Sequence, residues 1–232
     1  MEVIALIIAG GIGSRMGQAI PKQFLTVYDK PIIAYTMEKF ENHPAIDAIA
    51  VVCLDGWEHI LESYAKQYKI TKLKHIFPAG AVGQESIKNG IMGLDKFYDD
   101  DAIVLIHDAI RPNLSKDIIS DCIDMTKQYG NAIVCIPCQE AMLETKDKIC
   151  SESSYPRDNL KRTQTPQGFK LGIIKNAHIK AAELGITNSI ASCTLMIEVG
   201  EKVFFSMGSE KNIKLTTLED MEIFKALLDG NK

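Results

Sequence analysis

Residues 8–24 read IAGGIGSRMGQAIPKQF and set bare backbone beside two cations. Gly10, Gly11 and Gly13 permit positive φ and a close approach of backbone N–H groups to an anion. Arg15 and Lys22 supply charge, with Pro21 fixing the chain just before Lys22. That combination suits a polyphosphate. The spacing is not GxGxxG, which would need glycine where Met16 stands, and it is not a P-loop, because GK[ST] is missing. The plain alternative is a tight turn with a solvated arginine and lysine.

Three more polar clusters follow apolar runs. Gly80 to Ser86 (GAVGQES) comes after KLKHIFP and opens a helical pattern, so Ser86 is a candidate cap for a helix whose N-terminus faces a ligand. His107 to Pro112 (HDAIRP) comes after AIVLI. An aspartate ending a central strand suits a sugar hydroxyl or Mg²⁺, and Arg111 suits bidentate capture of a phosphate; a structural Asp–Arg pair is the alternative. Lys211 to Thr216 (KNIKLT) comes after KVFFSM and precedes the last helical segment. Thr216 or Thr217 can cap that helix, with Glu219 or Asp220 in its first turn, and Lys214 is a cation near the strand end or a solvated lysine. Cys135 and Cys138 form a CxxC, but AIVCIPC reads as a buried strand and no second CxxC or His pair completes a zinc set, so these are expected to be buried thiols.

These clusters need a scaffold that brings strand ends together. Strand-like runs recur as EVIALII, IDAIAVVCL, KLKHIFP, AIVLIHD, NAIVCIP and KVFFSM. Between most of them lie helical patterns at 31–40, 57–68, 86–97, 117–129 and 171–184, with a last one at 218–228. The alternation implies an α/β fold, a mostly parallel sheet covered by helices, with ligands beyond the carboxyl ends of the strands. Residues 138–166 break the alternation: they are polar, lack helical periodicity and are expected to form an arm or, more plainly, a surface hairpin. No linker or repeat divides the 232 residues, so one domain is expected over 1–232.

A net charge of −4 argues against a general nucleic-acid or anionic-membrane surface. The N-terminal apolar run, Val3 to Ala9, is preceded by Glu2 rather than a cationic start, and no stretch nears the roughly 20 apolar residues of a membrane span. A cytoplasmic location is the expectation.

Taken in order, IAGGIGSRMG, PKQFL, GQESIKNG, HDAIRP, QTPQGF and NIKLTT resemble the cytidylyltransferases that act on polyol phosphates, those of 2-C-methyl-D-erythritol 4-phosphate and of ribitol 5-phosphate, over nearly the whole chain. The resemblance implies a Rossmann-like nucleotidyltransferase fold with helices on both sheet faces, CTP and Mg²⁺ as nucleotide and cofactor, and a homodimer whose arms exchange. The reaction it implies joins CMP to a polyol phosphate and releases pyrophosphate. By the same resemblance Ala9, Gly10, Gly11 and Gly13 would wrap the triphosphate, and Arg15, Lys22 and Lys214 would stabilise charge on the reacting phosphates. Gly80 and Ser86 would hold cytosine, while Asp108, with Ala109 beside it, would meet the ribose or the metal. Arg111 would stand near the acceptor, and Arg157 and Thr165 would reach the acceptor phosphate from the other subunit.

The double glycine after Ala9, the HDAIRP form and the lone Trp57 look more like the ribitol branch. The chain departs from the family pattern at Ala141, where a threonine is usual, and at Ile190–Ala191, where an acidic residue is usual. Losing a hydroxyl and a carboxylate near an acceptor's hydroxyls would change which acceptor is selected. A binding-only paralogue would not need this set of phosphate-clamping cations. A dinucleotide-dependent oxidoreductase would need an acidic residue about 20 residues past a GxGxxG, and Asp55 does not fit that spacing.

Overall fold

The computed structural model describes residues 1–11 and 20–230. The strands are β1 (Val3–Ala9), β2 (Thr26–Val27), β3 (Lys30–Pro31), β4 (Ala48–Cys53), β5 (Leu73–Pro78), β6 (Ile103–Asp108), β7 (Asn131–Pro137), β8 (Met142–Glu144), β9 (Ser153–Tyr155), β10 (Lys161–Lys170) and β11 (Phe205–Met207). The helices are α1 (Ile32–Glu41), α2 (Glu58–Gln67), α3 (Gly83–Leu94), α4 (Lys116–Tyr129), α5 (Leu171–Glu183), α6 (Ser192–Glu198) and α7 (Leu218–Asp229).

Seven strands form one sheet in the order β11-β7-β10-β6-β1-β4-β5. All neighbours pair in parallel except β10, which runs antiparallel to both β6 and β7. β1, β4 and β6 are apolar on both faces because helices cover both. Ala5, Ile7, Val51 and Leu105 pack with Ile33, Met37 and Phe40 of α1, Leu61 of α2 and Ile119 and Cys122 of α4. Ile4, Leu6, Ala50 and Val104 pack on the opposite face with Ile91 and Leu94 of α3, Ile174 of α5 and Leu195 and Met196 of α6. Phe224 of α7 closes a smaller cluster with Val27, Ile32, Ile110 and Leu215.

Register positions the chemistry. Ile8 pairs with Asp108 and Ala9 with Cys53, so the glycine stretch leaves the sheet beside the end of β6. The sequence pattern does not show β10, whose Gln164 and Gln167 are polar yet buried, nor the short α6. The helix after GAVG begins at Gly83, with Val82 as its N-cap residue, so Ser86 lies within the first turn and is not the cap expected from sequence. Of residues 138–166, the exposed hairpin β8–β9 projects from the sheet, Arg157–Asn159 make a 3-10 turn, and 161–166 belong to β10, where Lys161 pairs with Pro137. Among the described residues no helix is long and apolar enough to cross a membrane.

Candidate active site

All four clusters contribute to one cleft beyond the carboxyl ends of β1 and β6. Its walls are Ile8 to Gly11, Lys22 and Gln23, Gly80 to Gly83 with Ser86, Asp108 to Ile110, and Lys214 from the fourth cluster. Its volume is about 250 Å³, smaller than a groove of about 870 Å³ between α2 and β5. The chemistry-bearing residues gather in the smaller space, at the sheet end where open parallel sheets bind ligands. Arg15 and Gly13 lie outside the described residues.

The glycines serve by approach more than by φ. Neither Gly10 nor Gly11 has positive φ, a correction to the reason first given for them. A Cβ on Gly10 would stand 2.5 Å from Cβ of Ala79, so only glycine lets the first loop meet the Gly80 loop. A Cβ on Gly11 would meet nothing within 4 Å among the described residues. Gly80 is equally constrained: a Cβ there would lie 2.5 Å from Cβ of Glu85. Its N–H donates to Oγ of Ser86 at 3.0 Å, and the N–H of Ala81 donates to the Glu85 carboxylate at 2.7 Å. Buried Ser86 therefore shapes the loop.

Lys22 stands in the three-residue turn Lys22–Phe24 and is half-buried. Phe24 stacks on Trp57 with ring centroids 4.5 Å apart, which gives the chain's one tryptophan a structural task beside the cleft. The buried Gln23 amide donates to the carbonyl of Ala9 at 2.7 Å and to that of Gly11 at 3.0 Å. Nothing in the composition or spacing of PKQFL singled out Gln23.

Asp108 is the hub of the opposite wall. Its Oδ2 accepts from Arg111 Nε at 3.0 Å and lies 3.2 Å from Lys214 Nζ. Burial pushes its carboxyl up, but Lys214 and Arg111 outweigh that and hold it below the usual carboxylate range. Arg111 also donates from Nη1 to the carbonyl of Asn212 at 2.7 Å, and its side chain is only 12% exposed. It is a strut under the cleft and contributes nothing to the lining. Ala109 is buried, with its N–H on the carbonyl of Ile8 at 3.1 Å, so it ties β6 to β1.

Behind Asp108 runs a directional relay. Nε2 of His107 is 3.1 Å from the carbonyl of Arg111, which only accepts, so Nε2 carries the proton. Nδ1 then accepts from the Thr165 hydroxyl at 3.0 Å, and Thr165 Oγ1 accepts the N–H of Asp108 at 3.1 Å. Burial pushes His107 down to about 4, so it is neutral at physiological pH. Asn212, fully buried, donates to the carbonyl of Thr165 at 2.8 Å and joins the fourth cluster to β10. Thr165 thus stands beside Asp108 of its own chain. Arg157 stands apart and exposed at the base of the hairpin, where it donates to the carbonyl of Gln139 at 2.9 Å.

Thr217 caps α7, as its position predicts: Oγ1 accepts from Asp220 N–H at 3.2 Å, and Asp220 Oδ2 accepts in return from the N–H of Thr217 at 2.8 Å. The cap fixes the segment that carries Lys214. All six cysteines are free, Cys135 and Cys138 both buried, and no cluster of three or more His, Cys, Asp or Glu side chains stands ready to hold a metal ion among the described residues.

Residues 3–230 match the profile of the family described as IspD, 2-C-methyl-D-erythritol 4-phosphate cytidylyltransferase. The ribitol-5-phosphate cytidylyltransferase of Lacticaseibacillus paracasei is 40% identical to this chain over 97% of each. A 2-C-methyl-D-erythritol 4-phosphate cytidylyltransferase of Clostridium botulinum is 36% identical over 97% of this chain and 96% of its own length. The crystal structure of the Francisella tularensis 2-C-methyl-D-erythritol 4-phosphate cytidylyltransferase has the same fold, with a TM-score of 0.78 at 28% identity over 97% of this chain and 99% of that one.

Proposed function

We propose that this chain, which belongs to the 2-C-methyl-D-erythritol 4-phosphate cytidylyltransferase (IspD) family and is a cytidylyltransferase, transfers CMP from CTP to ribitol 5-phosphate. The observation that carries the acceptor is the 40% identity, end to end, with a ribitol-5-phosphate cytidylyltransferase. A second acceptor, 2-C-methyl-D-erythritol 4-phosphate, is favoured by the family profile and by the relative at 36% identity.

The cleft supports this chemistry. A phosphate oxygen of the acceptor attacks the α-phosphorus of CTP, a new P–O–P bond forms, and the bond to the β-phosphate breaks to release pyrophosphate. The acceptor oxygen is already anionic at neutral pH, so no base is needed; the task is to bring two anions into line and hold the charge that moves to the leaving group. Lys22 and Lys214 line the cleft for that purpose, and Arg15 is assigned with them. The loop Ala9 to Gly11, continuing to Gly13, takes the triphosphate, Gly80 and Ser86 take the cytosine, and Asp108 with Ala109 takes the ribose side.

Mg²⁺ fits as a partner of Asp108. One carboxylate completed by substrate phosphates and water is an ordinary Mg²⁺ arrangement, and Asp108 is the acidic residue lining the cleft. When bound, the ion would neutralise phosphate charge. Lys214 and Arg111 already hold the carboxylate ionised and oriented for it.

The acceptor side is assigned to Arg157 from a second subunit, in a homodimer with exchanged arms, with Thr165 beside Asp108 and Arg111 beneath the cleft supporting it from within the chain. The exposure of Arg157, beside a hairpin whose strands are exposed throughout, supports that last assignment. Ala141 precedes the exposed β8, and Ala191 is the N-cap residue of α6. The absence of a hydroxyl and a carboxylate at these positions favours an acceptor that needs neither contact.

Pyrophosphate release from CTP and Mg²⁺ would be measured with ribitol 5-phosphate, 2-C-methyl-D-erythritol 4-phosphate, erythritol 4-phosphate and glycerol 3-phosphate. The highest kcat/KM is expected with ribitol 5-phosphate. A preference for any other acceptor overturns that choice while leaving the cytidylyltransferase activity in place.

A further inference from the structure

The Gln23 amide is 2% exposed and has two hydrogens. Both are spent on the two carbonyls that flank Gly10, those of Ala9 at 2.7 Å and Gly11 at 3.0 Å. A loop that cradles an anion must present N–H groups and withdraw carbonyl oxygens, because a carbonyl aimed at a phosphate repels it. Gln23 claims two such oxygens.

The same residue follows Lys22 directly. The turn that carries both is closed by Phe24 N–H on the carbonyl of Pro21 at 2.8 Å and by Leu25 N–H on that of Lys22 at 3.2 Å. On its far side Phe24 stacks on Trp57 and lies 6.4 Å, centroid to centroid, from Tyr64. Lys22 is therefore fixed between an aromatic anchor and an amide clamp on the glycine loop. Gln23 borders the cleft, whereas Phe24 and Trp57 do not line it.

We propose that Gln23 is a positioning residue that couples Lys22 to the triphosphate loop, setting at once the affinity for CTP and the place of the lysine that acts on its phosphates. The proposal rests on the assignment of this cleft to CTP. No other side chain of similar volume does the task. Glutamate would set acceptors against two carbonyls, and methionine would fill the space yet leave both carbonyls unpaired beside the phosphates.

The test is Gln23→Met, with CTP affinity followed by the fluorescence of Trp57, the only tryptophan, and turnover measured with ribitol 5-phosphate or whichever acceptor the parent uses best. The Kd for CTP should rise about tenfold or more and kcat should fall, while the acceptor KM at saturating CTP stays within about twofold of the parent. A residue that only stabilised the fold would lower the melting temperature and leave the CTP Kd of the folded enzyme unchanged. Gln23→Glu supplies a second readout. Its neutral acid restores one donor, so its activity relative to the parent should climb as pH falls from 8 towards 5.5. CTP affinity and kcat both within about twofold of the parent in Gln23→Met overturn the proposal. If that variant does not fold, a flat relative pH profile in Gln23→Glu does so. A parent that binds no CTP removes the assignment of the cleft, and this proposal with it.

Discussion

Lys22 and His178 show two opposite reasons for a residue's presence. Lys22 lines the cleft on a turn anchored by Phe24 on Trp57 and by Gln23 on the glycine loop. Lys22→Ala should remove transition-state stabilisation of about 3 kcal/mol or more, a hundredfold or greater loss of kcat, with the protein still folded. Stopped-time pyrophosphate assays beside thermal melts check both halves, and full activity in the variant ends the assignment of Lys22. His178 in α5 is buried, and both of its ring nitrogens lack a partner among the described residues. Burial, helped by Lys88, pushes it down to about 4, as burial does for the well-partnered His107. Both pKa values lie below the ordinary histidine value of about 6.5. Between those limits the unfolded chain takes up protons that the folded chain refuses, so stability must fall as pH drops from about 6.5 to about 4. His178→Leu strands no partner and removes two unsatisfied polar atoms. It should raise stability at pH 7 by about 1 kcal/mol or more and make the acid decline shallower. Melts across pH 4 to 7 test this, and a lowered melting temperature at pH 7 would show that the ring is stabilising where it lies.

Among the elements, α6 starts without a side-chain cap, as α1, α2, α3 and α5 do. Ala191 has the extended backbone of an N-cap, φ −153° and ψ 164°, but no side-chain oxygen to offer; only Thr194 reaches back, taking the N–H of Ala191 at 3.1 Å. Ala191→Asp should cap the helix and stabilise the protein by about 1 kcal/mol, read as an upward shift in melting temperature. It also places a carboxylate at the start of α6, so its effect on acceptor choice is informative in the same experiment. An unchanged melting temperature would mean that Gln167 Oε1, which already accepts the first-turn N–H of Cys193 at 2.9 Å, leaves a new cap little to add. The same stretch explains what sequence pattern can and cannot show. β1, β4, β6 and β7 are apolar runs between turns, and α1, α2, α4, α5 and α7 carry apolar stripes, so their period is visible directly. β10 is invisible because tertiary partners, not its own pattern, make it a strand. Gln164 is satisfied by Ser209, and Gln167 takes the N–H of Cys193. The glycine loop, Asp108, Arg111 and Lys214 could be picked out by residue type at strand ends. Gln23, His107 and Asn212 could not be assigned a task, since buried hydrogen bonding across 12 to 101 residues leaves no local spacing to read.

At the scale of the whole molecule, the cleft proposed for CTP is built within one chain, while the proposed acceptor side is thinly furnished. Lys22, Lys214 and Asp108 converge on the cleft, but Arg111 is committed beneath it, and Arg157 stands exposed on the hairpin side of the sheet. A second subunit that lends Arg157 resolves this, and the arrangement is separable from one that uses Arg157 within its own chain. Lys22→Ala and Arg157→Ala are each expected to be poorly active alone, the latter through a raised acceptor KM with CTP binding intact. Mixed and allowed to exchange subunits, they form heterodimers in which one site combines the intact Lys22 of its own chain with the intact Arg157 of its partner, while the other site lacks both. Random pairing should then restore activity at about one quarter of all sites. If Arg157 serves its own chain, each site of the heterodimer still lacks one residue and mixing restores nothing. Activity measured before and after subunit exchange, with acceptor held near its parental KM, decides between the two. A rise to about a quarter of parental activity fixes the direction of the exchange, and a mixture no more active than its components returns Arg157 to the chain that carries it.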